Sequence, residues 1–341
     1  RAEHFARRCL QPEAPQVTAP IFEVDQLRAH YLTRFGAKIQ AVDGVTFSLK
    51  EGEILGIAGE SGCGKTTLVS ACMGLYIPPL HLSSGDVKVD GKSIIGMDVE
   101  KNRKEVLGRQ VSMIPQGALN SLNPTRKVKD LAQDMILSHD DKADKKEIQD
   151  RLRQRFEKIG LDANVVLNSY PIQLPAGMKQ RVVIGISTLL NPRVVIADEP
   201  TSALDVTTQK AVIRLLFDLM DQQIIGSMLF ITHELPLLRH VATRIAVMYA
   251  GEFAELGTTE QVIFDSRMPY TKALMGSMLS AEPGQKSKKP IAIEGAPPNL
   301  AHKITGCRYA ERCPEVRRDC KANEQVIRIV KDREVRCQYA E

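Results

Sequence analysis

The sequence predicts an α/β protein whose sheet carries a phosphate-binding loop, and three stretches predict it. Gly59 to Thr67 reads Gly-Glu-Ser-Gly-Cys-Gly-Lys-Thr-Thr, between an apolar strand (Ile54–Ala58) and a helix (Thr66–Leu75). Val194 to Ala197 is a continuous apolar run, as in a strand buried on both faces, and it ends on Asp198-Glu199. Two further apolar strands, Met228–Thr232 and Arg244–Tyr249, follow the helical pattern Val206–Gln222. In the loop, Gly59, Gly62 and Gly64 let the backbone amides around Glu60, Ser61 and Cys63 curl about phosphate oxygens. The helix N-terminus adds partial positive charge. Lys65 then reaches the β and γ phosphates, Thr66 offers a hydroxyl to Mg²⁺, and Thr67 completes the motif. A glycine-rich turn with a chance lysine would not account for the Lys-Thr pair and both flanks together.

At 341 residues, with 43% apolar residues, the chain is long enough for one core domain and an appendage. No run of about 18 apolar residues occurs, so no membrane span is expected. Arg1–Pro20 has charges and prolines without an apolar core and reads as a mobile arm, not a secretory signal. The net charge is +5, of which residues 281–341 supply +4, a balance too mild to argue for nucleic acid. Of seven cysteines, four fall in the last 35 residues, which together with a phosphate loop favours a reducing compartment and a metal site over disulfides.

Taken in order, Ile21–Leu49 is β-like, with alternation at Val45, Phe47 and Leu49. Its Tyr31 and Phe35 suit either the core or stacking on a purine ring. Gly85–Gly91 reads as a strand between turn glycines, and Val111–Ile114 as one leading through Pro115 to Gln116. From Gly117 to about Leu190 the pattern turns helical. Ile148, Leu152, Phe156 and Ile159 form one apolar stripe that Gly160 stops, a stripe for packing on neighbouring helices. Asp205 is placed to cap Val206–Gln222. Strand ends deliver Gln116, Asp198, Glu199 and His233, the last just after Thr232, toward the phosphate loop.

Those groups meet the needs of ATP hydrolysis: Asp198 for Mg²⁺, Glu199 to polarise water, Gln116 for metal and water, and His233 for the γ phosphate. Singly, a Gln or His is more often solvated or structural. Their order, with the run Asp198-Glu-Pro-Thr-Ser-Ala-Leu-Asp205, resembles the nucleotide-binding subunit of an ATP-binding cassette (ABC) transporter over nearly the whole chain from Ile21. Asn120–Pro124, Tyr170-Pro171, Pro269–Leu274 and the tail beginning Gly306-Cys307 resemble the oligopeptide/dipeptide/nickel importer ATPases, a family that includes oligosaccharide importers.

The resemblance implies a RecA-like mixed-sheet core with an antiparallel β subdomain and an α-helical subdomain at about 117–190. The cassette would span 21–280, and a small Cys-rich extension 281–341. It makes Tyr31 the adenine-stacking aromatic and Asp205 a loop residue crossing a dimer. It implies ATP and Mg²⁺, held by Thr66, Gln116 and Asp198, and a peripheral place on the cytoplasmic membrane face. Its partners would be a second ATPase subunit, two permease subunits and an extracytoplasmic binding protein, with peptide as cargo and nickel chelates or oligosaccharides as alternatives. A soluble ABC ATPase acting on nucleic acid or ribosomes would show two cassettes or long coiled-coil heptads, and neither occurs. A catalytically dead cassette would lack Glu199 or His233.

One motif departs from the family. Where it has Leu-Ser-Gly-Gly, this chain has Leu174-Pro175-Ala176-Gly177. Pro175 has neither hydroxyl nor N–H, although proline suits a helix's first turn, and Ala176 adds a methyl where close approach is wanted. In the family that motif serves the nucleotide on the opposite subunit. The resemblance therefore suggests a heterodimer in which this chain's own Walker site is the hydrolytic one.

Cys307, Cys313, Cys320 and Cys337 are separated by 5, 6 and 16 residues, after a Pro/Gly/Lys linker near Glu282–Pro290. Four thiolates can hold zinc or an iron-sulfur cluster; the absence of C-x-x-C tilts against zinc, and the resemblance tilts the same way, since comparable tails in some of these importers hold a [4Fe-4S] cluster. Disulfides and plain thiols stay open. The role expected of such a site is to fasten a tail too small to bury a core. Cys63, at a helix N-terminus inside the loop, is expected to have a lowered pKa and, if accessible, to be alkylated in competition with ATP.

Overall fold

The structure, a computed structural model, describes residues 19–277, 292–302 and 304–341. The expected arm (but for its last two residues) and the linker near Glu282–Pro290 lie outside them. Three five-residue strands, β3 (Ile54–Ala58), β7 (Val194–Asp198) and β8 (Ser227–Ile231), are buried at every position, as continuous apolar runs require. They pair in parallel with β6 (Val111–Ile114) and β9 (Arg244–Tyr249) in the order β9-β3-β8-β7-β6. Alternate residues serve opposite faces: Val195 and Ala197 enter one core cluster, Val194 and Ile196 the other.

The second cluster lies under an antiparallel sheet in the order β2-β1-β4-β5. Its strands are β1 (Phe22–Leu32), β2 (Lys38–Leu49), β4 (Leu80–Val89) and β5 (Lys92–Ser93). The β1–β2 turn leaves Phe35 98% exposed, which removes it from the core. The first helix, α1 (Lys65–Cys72), packs its Leu68 and Val69 into this cluster, and α2 (Val99–Glu105) follows β5 with Asp98 as its cap.

The segment expected to be helical holds α3 (Val128–Leu137), α4 (Lys145–Lys158), α5 (Ala163–Val166) and α6 (Ala176–Ser187). The stripe Ile148, Leu152, Phe156 and Ile159 is fully buried in the first cluster. Gly185 of α6 lets α4 come close, because a Cβ there would lie 2.7 Å from Ile159 Cδ1. Next come α7 (Val206–Asp221), whose Asp205 side chain accepts from the Thr207 and Thr208 amides as expected, and α8 (Leu235–Leu238). Beyond β10 (Glu252–Thr258) lie α9 (Thr259–Phe264) and α10 (Pro269–Ser277).

The tail departs from expectation. Its hairpin, β11 (Arg328–Val330) and β12 (Arg333–Val335), pairs antiparallel with β10 and extends the main sheet to eight strands. Tyr309 packs with Tyr249 and Tyr270, ring centroids 4.4 to 5.3 Å apart, and Val335 joins the first core cluster. Arg333 lies 3.7 Å from the buried Glu255. A segment too small to bury its own core is thus fastened by borrowing the core and sheet edge of its neighbour. Among the described residues, no helix is long and apolar enough to cross a membrane.

Candidate functional site

The loop between β3 and α1 is shaped by glycines that nothing larger could replace. A Cβ at Gly59 would lie 2.2 Å from the Met248 carbonyl oxygen, and one at Gly64, with φ of +110°, 2.2 Å from that of Ala41. Lys65 is nearly buried and curls back on the loop, Nζ donating to the Gly59 oxygen at 2.7 Å and the Glu60 oxygen at 3.0 Å. Both are backbone acceptors that a phosphate group can displace. Ser61 and Gly62 stand at the open rim, both exposed.

Asp198 closes β7 almost fully buried, with the Thr66 hydroxyl beside it. Burial first and the neighbouring Glu199 second push its pKa up to about 6, against the pull of Lys65 and Thr66. A buried carboxylate with that deficit of positive charge, beside a helix-starting hydroxyl, suits a hard divalent cation. Glu199 adopts a left-handed backbone, φ +47°, its amide donating to the Ile231 oxygen at 2.9 Å. The turn aims its side chain away from Asp198's site. There Gln116 Nε2 donates to Oε2 at 3.2 Å, and His233 Nδ1 lies 3.0 Å from Oε1. The side chains of Glu199 and His233 are 14% and 56% exposed, a sheltered carboxylate next to an open imidazole. Gln116, Glu199 and His233 come from three different strand ends, and the parallel order brings them together.

Tyr31, on β1, meets α1 through its hydroxyl, 3.1 Å from Thr67 Oγ1, so an aromatic stands beside the loop's last residue. Pro175 precedes α6, and its oxygen accepts from the Met178 and Lys179 amides. Pro175 and Ala176 are exposed. Gly177 has a packing reason of its own, since a Cβ there would lie 3.2 Å from Thr208 Cγ2 of α7. Gln180 ties that helix to the acidic turn, Nε2 donating to the Pro200 oxygen at 2.6 Å. The Asp205 carboxylate is held below the usual range by the Thr208 hydroxyl and amide.

Two expectations about cysteine change. Cys63 is 5% exposed against Met248 and Lys65, and burial raises its pKa more than Lys65 lowers it. Its place under the loop outweighs the helix N-terminus. In the tail, burial first and then Cys320, Cys337 and Cys313 push the Cys307 thiol up to about 11. Yet no group of three or more His, Cys, Asp or Glu among the described residues is arranged to hold a metal ion. The expected four-thiolate site is therefore not preassembled.

Sequence reasoning missed three residues at the loop. Tyr270 accepts from the Glu60 amide at 3.1 Å, and Arg312 grips the Glu60 carboxylate while stacking toward Tyr249, 5.8 Å from its ring centroid. The Pro269–Leu274 and Cys307–Pro314 stretches stand out in the sequence, but nothing there tells that both touch Glu60, 210 and 252 residues away from Tyr270 and Arg312.

Residues 42–202 match the ABC transporter family, and residues 254–320 the oligopeptide/dipeptide transporter C-terminal region. The chain is 36% identical over 322 residues to the dipeptide transport ATP-binding protein DppD of Caldanaerobacter subterraneus subsp. tengcongensis, covering 94% of this chain and 97% of that protein. It is 38% identical to the oligopeptide transport ATP-binding protein OppD of Bacillus subtilis (86% and 81% covered). It is 34% identical to OppF of Salmonella typhimurium (90% and 92%). In fold it is similar to an ATP-binding cassette solved as a dimer with ADP and Pi, at a TM-score of 0.60 and 24% identity over 70% of this chain and 98% of the other.

Proposed function

This chain belongs to the ABC transporter ATPases that carry the oligopeptide/dipeptide C-terminal region, and we propose that it binds and hydrolyses ATP to energise uptake of di- and oligopeptides through partner membrane subunits. The names of its relatives support the peptide reading. In this reading Gly59–Thr67 cradles the triphosphate, Lys65 leaves the Gly59 and Glu60 oxygens for the phosphates, and Tyr31 stacks on adenine. Mg²⁺ would supply positive charge to the triphosphate. Thr66, Gln116 and Asp198 would hold it. Glu199, aimed by its left-handed turn and held between Gln116 and His233, takes the proton of the attacking water, and His233 contacts the γ phosphate.

The domain reading follows: an arm at 1–20, a cassette at 21–280 with its helical subdomain at about 117–190, and the extension at 281–341. We place the chain on the cytoplasmic face of the membrane, beside two permease subunits fed by an extracytoplasmic binding protein. Its partner would be a second, non-identical ATPase subunit. Pro175, Ala176 and Gly177, lacking the serine hydroxyl and one amide, would serve the partner's nucleotide weakly, by about 1.5 to 3 kcal/mol per lost charge-assisted donor. Asp205 sits at the same junction. We also read Cys307, Cys313, Cys320 and Cys337 as ligands that close on a [4Fe-4S] cluster during loading. The four cysteines gathered in the last 35 residues support this. A colourless, iron-free protein from anaerobic purification would overturn that part.

The observation that carries the ATPase reading is the meeting of Lys65, Thr66 and Asp198 beside a glutamate held by Gln116 and His233. Nucleotide titration of the full chain with Mg²⁺ tests it. Lys65→Ala is expected to abolish ATP binding, and a wild type that ignores ATP would overturn the reading.

A further inference from the structure

Arg312 belongs to the tail, yet its side chain is only 4% exposed and ends at the phosphate loop. Nη1 donates to Glu60 Oε2 at 2.7 Å and Nη2 to Oε1 at 2.9 Å, a two-pronged pair. Nη1 also lies 3.3 Å from the Tyr249 hydroxyl, and Nε donates to the Glu294 oxygen at 3.0 Å, so the guanidinium is fixed before it meets the loop. Glu60 is held at three points. Its carboxylate takes Arg312, its amide donates to Tyr270, and its carbonyl accepts from Lys65 at 3.0 Å and from the Cys63 amide at 3.3 Å.

A carboxylate in the second position of a phosphate loop is an electrostatic liability, because a triphosphate brings further negative charge to the same few residues. Paired with Arg312, that carboxylate is neutralised and turned toward the tail. Unpaired, it would repel the ligand and be free to swing across the loop.

We propose that Arg312 is a positioning residue for nucleotide binding: by pairing with Glu60, the C-terminal tail neutralises and orients the phosphate loop. This rests on the loop's being the ATP site. The reach from tail to loop makes the extension part of the nucleotide site's support, not a separate module.

The test is a double-mutant cycle on the full chain, with ATP and ADP affinities measured by calorimetry and thermal stability measured without nucleotide. Arg312→Gln is expected to weaken ATP binding by about tenfold or more, the scale of a lost charge-assisted pair. Arg312→Gln combined with Glu60→Gln is expected to return affinity to within about threefold of wild type, since no unpaired carboxylate remains. ADP, with less charge near the loop's end, is expected to lose less than ATP. Wild-type binding with an unchanged Arg312→Gln affinity would overturn the proposal and leave the ATP site standing. A loss that the second substitution does not rescue, tracking a fall in melting temperature, would assign Arg312 to packing alone and also overturn it. Failure of the wild type to bind would instead sink the underlying site.

Discussion

Glu199 shows how a single backbone angle separates two adjacent carboxylates into two environments. Asp198 ends its strand in regular extended geometry and stays under the sheet. Glu199 turns through a φ of +47° and emerges between Gln116 and His233. Such a conformation costs a non-glycine residue about 1 to 3 kcal/mol and persists only where its surroundings fix it, here through the Ile231 oxygen. Glu199→Gln is accordingly expected to cut phosphate release by about 10²- to 10⁴-fold while leaving ATP affinity nearly intact, because the amide keeps the shape and loses the base. Equal loss of binding and turnover would show that Glu199 serves the loop's structure. Cys63 gives the second prediction at this scale. With its thiol buried and its pKa raised, iodoacetamide at neutral pH is expected to label it far more slowly than the half-buried Cys313, as read by peptide mass spectrometry of the native chain. The adjacency of Asp198 and Glu199 was legible in the sequence; their divergence was not, since it depends on the next strand in the chain, β8, supplying Ile231.

At the scale of elements, the helical segment owes its stability to a stripe and a gap. Phe156 is fully buried, and Gly185 gives α6 the room to lie against Ile159 of the same stripe. Phe156→Ala is expected to cost about 3 to 5 kcal/mol in urea unfolding, while leaving the denaturant slope near wild type. The stripe was readable because its spacing matches the helical period. The glycine opposite it was not, because helix crossings depend on which faces meet. Strand ends behave similarly. Gln116, Asp198 and His233 each follow an apolar run, and parallel strands put all their carboxyl ends on one edge, so their convergence could be read from order alone. The long antiparallel strands β1 and β2 were less legible, as register shifts interrupt their alternation.

Taken whole, the main sheet packs the helical segment and the tail into one core cluster and the antiparallel sheet into the other, with the tail's hairpin on its β10 edge. The tail's contacts with β10, with the tyrosine trio and with Glu60 make it a brace for the nucleotide site. At the scale of the assembly, the proline in the helix-start motif predicts unequal sites. Glu199→Gln in this chain is expected to stop transport-coupled hydrolysis, and the matching substitution in the partner to reduce it only about severalfold. Equal losses, measured in the assembled transporter, would reject the asymmetry. The sequence by itself determined the phosphate loop, the acidic pair Asp198-Glu199 and the helical stripe, because each rests on chemistry or periodicity within a few residues. Only the tertiary structure decided that the tail completes the main sheet, that Cys63 is shielded and that Arg312 meets Glu60. Those outcomes depend on which surfaces find each other across 80 residues at the sheet edge and 252 between Arg312 and Glu60, and local sequence carries no register for such encounters.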